Sequence, residues 1–182
     1  MSETTYKYEK NLPFVPFKKR YLRASRLFFM LQGLLLVMFL SISLQYRIFS
    51  ILLLAIGAIT LVSVIYIFRI RKKTKYFLQS IKITNDHVVS MAMYRKDEKF
   101  DHQLNLENLD VTFEVTGGGR RGRLTFAVVF AYNGQTLGKQ SDLGKWKTSE
   151  VKELFSSIKQ YKGESLTPKE ADLLRMKRGF LG

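Results

Sequence analysis

The sequence predicts a membrane α-helical hairpin joined to an α+β domain. Three observations predict it. Leu27–Leu44 and Ile48–Phe68 contain no ionisable side chain. After Lys75 the apolar residues change from continuous to alternating, the period of a half-buried strand. Farther on, Val151, Leu154, Phe155, Ile158 and Tyr161 recur at the spacing of one helix face.

Each uncharged run is close to the ~20 residues that a helix needs to cross ~30 Å of hydrocarbon. LFFMLQGLLLVMFLSISL holds 12 Leu, Ile, Val or Phe residues. They favour insertion by roughly 4–7 kcal/mol together, enough to carry Gln32 and the serines. The second run, IFSILLLAIGAITLVSVIYIF, is richer still. Only Gln45, Tyr46 and Arg47 separate the two, so the helices must be antiparallel neighbours. Tyr46 and Arg47 suit a water interface. A buried soluble hairpin would keep a polar face, and neither run has one. The first run follows a charged leader with Glu3 and Glu9 and leads straight into a second span, so it is expected to be retained rather than cleaved.

Lys and Arg number 30 against 15 acids, a net charge of +15. Such a surplus implies a polyanionic neighbour: anionic lipid, nucleic acid or an acidic protein. Lys18, Lys19, Arg20, Arg23 and Arg26 precede the first span, and Arg69, Arg71, Lys72, Lys73 and Lys75 follow the second. Arg47 stands alone between them. The positive-inside rule therefore predicts both termini in the cytoplasm. Each basic residue adds ~1 kcal/mol of attraction to an anionic leaflet. The membrane accounts for much of the charge, so nucleic acid is not the expected partner.

Other chemistry is scarce. There is no cysteine, which excludes disulfides, thiolate nucleophiles and Cys-ligated metals. His87 and His102 lack a convincing third ligand. Asp97, Glu98 and Asp101, or Glu150 and Glu153, fall in loops or on a solvated helix face. The spans hold no acid, Lys or His, which transporters and proton relays need at depth. Gln32, Ser41, Ser43, Ser50, Thr60 and Ser63 are expected to bond to their own backbone or to the sister helix. Gly33 and the Ala55–Ala58 patch permit close helix approach.

We divide the chain into a basic, aromatic leader (1–25), the hairpin (26–70), the strand domain (76–163) and a short amphipathic tail (164–182). The leader, with Tyr6, Tyr8, Leu12 and Phe14 among lysines, reads as a disordered start and an interfacial anchor. A docking peptide around Pro13–Phe17 is the sharper alternative. In the domain, Tyr76–Thr84 and His87–Arg95 read as strands about an Asn85-Asp86 turn. Phe100–Leu106 and Leu109–Val115 follow, then a glycine-rich turn at Gly117–Arg123. Leu124–Tyr132 and Gln135–Gln140 flank Asn133-Gly134, the strongest hairpin signal in the chain. Thr148 is expected to cap the helix, Lys162-Gly163 to end it, and Trp146 to pack beneath its first turn. Thr167-Pro168-Lys169-Glu170 begins a short tail helix, expected to need support from outside the chain's own core.

The two-span hairpin, the strands beginning IKITNDHVVSM, the LNLENLDVTFE segment, the Asn133-Gly134 hairpin and the helix together resemble bacterial two-transmembrane-helix proteins with a C-terminal PH-like domain. The resemblance covers Arg26 to about Lys162 and rests on element order. It implies a PH-like antiparallel roll with a C-terminal capping helix. It also implies a non-enzymatic scaffold or accessory subunit in the bacterial inner membrane. No residue motif carries over.

The loop Gly117–Arg123 mimics the spacing of a phosphate-binding loop, but Arg123-Leu124 replaces Lys-Ser/Thr and no helix follows. Arg120, Arg121 and Arg123 are instead candidates for a headgroup clamp or partner contact. With them stand Lys18, Lys19, Arg20, Arg23, Arg69, Arg71, Lys72 and Lys73. The expected partners are a bilayer with anionic lipids and other membrane protein subunits. No cofactor, catalytic residue, metal or small-molecule substrate is expected.

Overall fold

Two compact units make up the computed structural model, which describes residues 6–117, 124–143 and 145–176. One is Phe17–Thr74; the other joins Met1–Pro16 to Lys75–Gly182.

The first unit is helices α1 (Phe17–Tyr46) and α2 (Phe49–Thr74). Pro13 and Pro16 hold the preceding chain out of the helical region, and α1 then runs without a proline. It therefore starts well before Arg26, and four basic residues assigned to the leader lie on its first turns. Arg47 closes the link at φ 56, the left-handed conformation that ends a helix. The Ile48 N–H donates to Ser43 O at 3.2 Å, and the Ser43 hydroxyl donates to Ile48 O at 3.1 Å. At the opposite end Phe28 stacks on Tyr66 with centroids 3.7 Å apart, and the Tyr66 hydroxyl donates to Ala24 O at 3.2 Å. The helices are thus antiparallel, as the short link requires. Ser25 and Ser41 donate to their own backbone at Tyr21 O and Val37 O. Gln32 departs from expectation: its Oε1 is buried and accepts no hydrogen bond. Leu27, Leu53, Leu54 and Phe68 are 70%, 72%, 76% and 69% exposed. A soluble core helix leaves no such surface, and both helices are long and apolar enough to cross a membrane.

The second unit holds seven strands: β1 (Tyr6–Asn11), β2 (Tyr76–Thr84), β3 (Val88–Arg95), β4 (Glu98–Asn105), β5 (Leu109–Gly117), β6 (Thr125–Tyr132) and β7 (Gln135–Ser141). They form two antiparallel sheets, β1-β2-β3-β4 and β5-β6-β7. Helices α3 (Thr148–Tyr161) and α4 (Pro168–Arg175) follow. The arrangement is an open α+β one.

The leader is the largest departure from the sequence reading. Tyr6–Asn11 pairs antiparallel with β2, Asn11 opposite Ser80. The Leu12 N–H continues the ladder to Gln79 O at 2.8 Å. Tyr8 and Leu12 pack on the domain core, and Phe14 lies 4.3 Å from the Tyr94 ring. The segment thus docks on its own sheet. Its apolar residues alternate because they line a strand.

Turn chemistry follows the sequence. Asn133 and Gly134 have φ 49 and 76, as a type I′ hairpin demands. Lys96-Asp97 makes a second two-residue turn with Lys96 at φ 60, so β4 begins at Glu98 rather than Phe100. Leu106 lies in a 3-10 turn whose Glu107 N–H donates to Asn105 Oδ1 at 2.9 Å. Of Val111, Phe113 and Val115, only the first two are buried; Val115 shares their face but lies at the end of the regular register, before the shift toward Gly117.

The core joins both sheets to α3. Phe113 stacks between Phe126 and Phe155, with centroids at 5.4 and 5.2 Å. Val151, Leu154, Phe155 and Ile158 are fully buried, as their spacing predicts. The sheets are tied at Leu78, where β2 bulges. The Leu78 N–H donates to Gln140 Oε1 at 2.6 Å, and its carbonyl accepts from Trp146 Nε1 at 2.8 Å. Both side chains come from outside the first sheet and replace ladder bonds that the bulge forfeits. Close by, a Cβ on Gly138 would overlap the Met93 sulfur, so a larger residue there would require the Met93 side chain to shift.

The helix start corrects a further expectation. Lys147, not Thr148, is the cap residue, and its N–H donates to Glu150 Oε2 at 2.7 Å. Thr148 instead donates to buried Asp142 at 2.7 Å, while Asp142 also accepts from the Phe126 N–H. Gly163, at φ 69, ends α3 with Glu164 N–H donating to Lys159 O.

The tail helix needs no outside support. Thr167 and Glu170 form the expected capping box. Leu173 and Leu174 pack on the domain core, and Lys152 Nζ donates to Leu174 O and Met176 O at 2.6 and 2.5 Å. Burial lowers the Lys152 pKa. Lys159 also reaches Glu164 at 2.7 Å and Glu170 at 3.6 Å.

Two predictions follow from these ties. Gln140→Leu leaves the Leu78 N–H buried and unpaired, a loss of ~1–3 kcal/mol; thermal unfolding of the full chain in detergent should shift down by several degrees. Glu164 sits below its usual 4.5 because Lys159 and Lys162 hydrogen-bond its charged form. Its stabilising contribution is whole above pH 4.5 and is lost as pH falls through the lowered folded value. Amide exchange across 162–175 should therefore quicken in that acid window, and Glu164→Gln should remove the pH step.

Candidate functional site

Ten of the 30 basic residues and none of the 15 acids lie in Phe17–Thr74. That leaves the strand unit with 20 basic and 15 acidic residues, so most of the surplus belongs to the hairpin. Because α1 and α2 are antiparallel, nine of those ten gather at one end. Arg47 alone marks the other.

Lys18, Lys19, Arg23 and Arg26 are exposed on the first turns of α1, and Arg69, Arg71 and Lys72 on the last turns of α2. Lys73 is half-buried. Arg20 differs from its neighbours: it is buried, its guanidinium 5.9 Å from the centre of the Phe17 ring. It belongs to the packing of the helix start rather than to an exposed charge band. Cations on the last turn of α2 also complement the negative end of the helix dipole.

Spacing sets these charges against the apolar surface. Arg26 is 20 residues from Tyr46, and Phe49 is 20 residues from Arg69. At 1.5 Å per residue each interval is ~30 Å, the thickness of a bilayer's hydrocarbon. Tyr46 and Phe49 are 63% and 60% exposed at the tip. The hairpin therefore presents an aromatic end, an apolar shaft and a basic collar.

Arg120, Arg121 and Arg123 lie outside the described residues. Their stems, Gly117 and Thr125, are paired across β5 and β6. His87 is an exposed turn residue at φ 56. His102 is half-buried on β4. Among the described residues no group of three His, Asp or Glu side chains is placed to hold a metal. Several acids are held by lysines. Glu150 takes Lys10 at 2.6 Å, and although burial pushes its carboxyl up, the bonds from Lys10 and the Lys147 N–H leave it below its usual value. Asp101 takes Lys99 at 2.7 Å. No two carboxylates share a proton site in this set. Burial, with Glu153 and Glu150 nearby, pushes the Tyr8 hydroxyl up to about 12, which marks β1 as a packed strand.

One feature escaped the sequence reading. A cleft of about 190 Å³ opens between the start of β2, the β3–β4 turn and the start of β7. Its walls come from four strands, β2, β3, β4 and the distant β7, so no local pattern announces it. The outer face of β2–β4 carries a wider, shallow trough around Ser80, Ser90 and Gln103.

Comparison with protein-family models, with curated proteins and with solved structures found no match. The class of protein is therefore defined by its own layout: two apolar helices able to span a membrane, and a sheet-rich α+β domain.

The collar predicts lipid selectivity. Changing Lys18, Lys19, Arg23, Arg69, Arg71 and Lys72 to Gln should reduce the preference of the reconstituted protein for spin-labelled phosphatidylglycerol over phosphatidylcholine. High salt should do the same to the unchanged chain, since exposed charges are screened.

Proposed function

We propose that this chain is a non-enzymatic membrane scaffold or accessory subunit. In this reading it holds a PH-like roll on the cytoplasmic face of a bacterial inner membrane, where the roll engages a larger membrane assembly. The observation that carries the reading is the pairing of β1 with β2 across the hairpin. The chain leaves one strand, runs through both apolar helices and returns to the neighbouring strand. Both helix ends must then lie on the same side of any membrane they cross, the side of the strand domain. The one-ended collar supports reading that side as the cytoplasm, by the independent positive-inside rule.

The PH-like assignment rests on strand order. Four antiparallel strands are followed by three, and then by an amphipathic helix whose apolar face completes the core. Such a roll hosts many functions, so the role is argued from the site. The surface carries charge and apolar area in quantity. A protein partner or lipid remains to be bound. The alternative is a lipid-binding module using Arg120, Arg121 and Arg123 as a headgroup clamp.

Topology is tested with single cysteines, since the chain has none. Tyr46→Cys should react with an impermeant maleimide in intact cells, and Glu107→Cys only after lysis. The reverse pattern overturns the orientation. Mass measurement after mild-detergent purification should show a stoichiometric protein partner. A lone chain carrying defined lipid would support the module instead.

A further inference from the structure

The cleft at the start of β2 combines two surfaces that seldom meet by accident. Tyr76, Met93, Phe100 and Leu137 give it an apolar lining, with Arg95 and His102 on its rim. Phe100 is 36% exposed although it sits on a strand. Lys75, just before Tyr76, does not line the cleft but holds its Nζ 5.4 Å from the centre of the lining Tyr76 ring.

None of these rim groups is otherwise engaged. Among the described residues Arg95, Lys75 and His102 make no side-chain hydrogen bond or ion pair. Elsewhere in the same unit, Lys10, Lys82, Lys99, Lys139, Lys159 and Lys162 are each tied to a carboxylate. The nearest acid in the sheet register is Glu98, opposite Arg95, and Asp101 is held by Lys99. An apolar slot with uncommitted cations at its lip suits an amphiphile with an anionic head. Chain connectivity names a source for it. Only Lys75 separates Tyr76 from the end of α2 at Thr74.

We propose that this cleft binds one anionic phospholipid of the surrounding bilayer, its phosphate at Arg95 and Lys75 and the start of an acyl chain between Phe100 and Leu137. The proposal rests on the membrane reading above, and it adds a single-lipid site separate from the collar. The volume, about 190 Å³, suits part of a chain rather than a whole lipid. The rest of the molecule stays in the bilayer. A free phosphate shares the head chemistry but leaves the apolar lining unused. His102 supplies a hydrogen bond to the head.

The full chain is reconstituted in nanodiscs of equal phosphatidylglycerol and phosphatidylcholine, then released for native mass spectrometry. One retained phosphatidylglycerol is expected. Arg95→Glu and, separately, Phe100→Asp should each cut its occupancy at least fivefold while the thermal unfolding midpoint stays within a few degrees. Both replaced side chains are at the surface, so folding survives. Gln substitutions at Lys18, Lys19 and Arg23 should leave the retained lipid in place, since they touch the collar alone. Undiminished occupancy in both cleft variants overturns the proposal. So does equal retention of phosphatidylcholine, or displacement of the lipid by inorganic phosphate at millimolar concentration. Failure of the membrane reading shows differently: the chain would then be recovered monodisperse without detergent or lipid.

Discussion

The pairing of β1 with β2 is the constraint on which the rest depends. Neighbouring strands lie ~4.8 Å apart, yet Asn11 and Tyr76 are separated by the whole helical hairpin. A flexible insertion of that length would carry a real closure cost, although the cost grows only logarithmically. The hairpin removes most of it. Its helices are antiparallel, so Phe17 and Thr74 fall at the same end. The antiparallel apolar pair thus returns the chain to the end from which it left, which keeps the two strand-forming segments close.

The second sheet is joined to the first by side chains more than by backbone. At the β2 bulge both polar groups of the Leu78 peptide are satisfied by Gln140 and Trp146. Each bond is modest alone, but a buried amide without a partner is expensive. Gln140 and Trp146 therefore fix where β7 and the start of α3 meet β2, and Gly138 grants the room. The aromatic layer of Phe113, Phe126 and Phe155 then fills what the ties enclose. Lys152 and Lys159 extend the same logic to α4, which is too short to hold a helix alone.

What the sequence revealed was whatever repeats locally. The uncharged runs, the Asn133-Gly134 turn, the α3 face and the Thr167–Glu170 capping box are written within a few residues of themselves. β1 was missed because its partner is more than sixty residues away, and because tyrosines among lysines also suit a headgroup zone. Period-2 alternation from Tyr6 to Leu12 was the available signal. The tail was expected to lean on another molecule because its supports, Lys152 and the core beneath Leu173 and Leu174, belong to other elements. The basic residues of the collar were legible one by one, but Arg20 was not separable from them. Burial depends on which side of α1 faces inward, and an unbroken charged stretch hides that. The cleft left no trace, being built from β2, β3, β4 and the distant β7.

Charge and length together support the membrane reading of the apolar helices. A basic surface alone attracts nucleic acid as readily as lipid. Here the acids are absent from one unit and nearly balance the bases in the other. The cations of the helical unit do not spread along it. They stop at Arg26 and Arg69, each 20 residues from an exposed aromatic at the tip, and the two intervals agree although the helices differ in length. A ~30 Å uncharged shaft matches the thickness of a bilayer's hydrocarbon. In the membrane reading proposed above, the extra turns of α1 before Arg26 extend into the headgroup layer, where the stems of the exposed Lys18, Lys19 and Arg23 lie along apolar surface while their charges reach water.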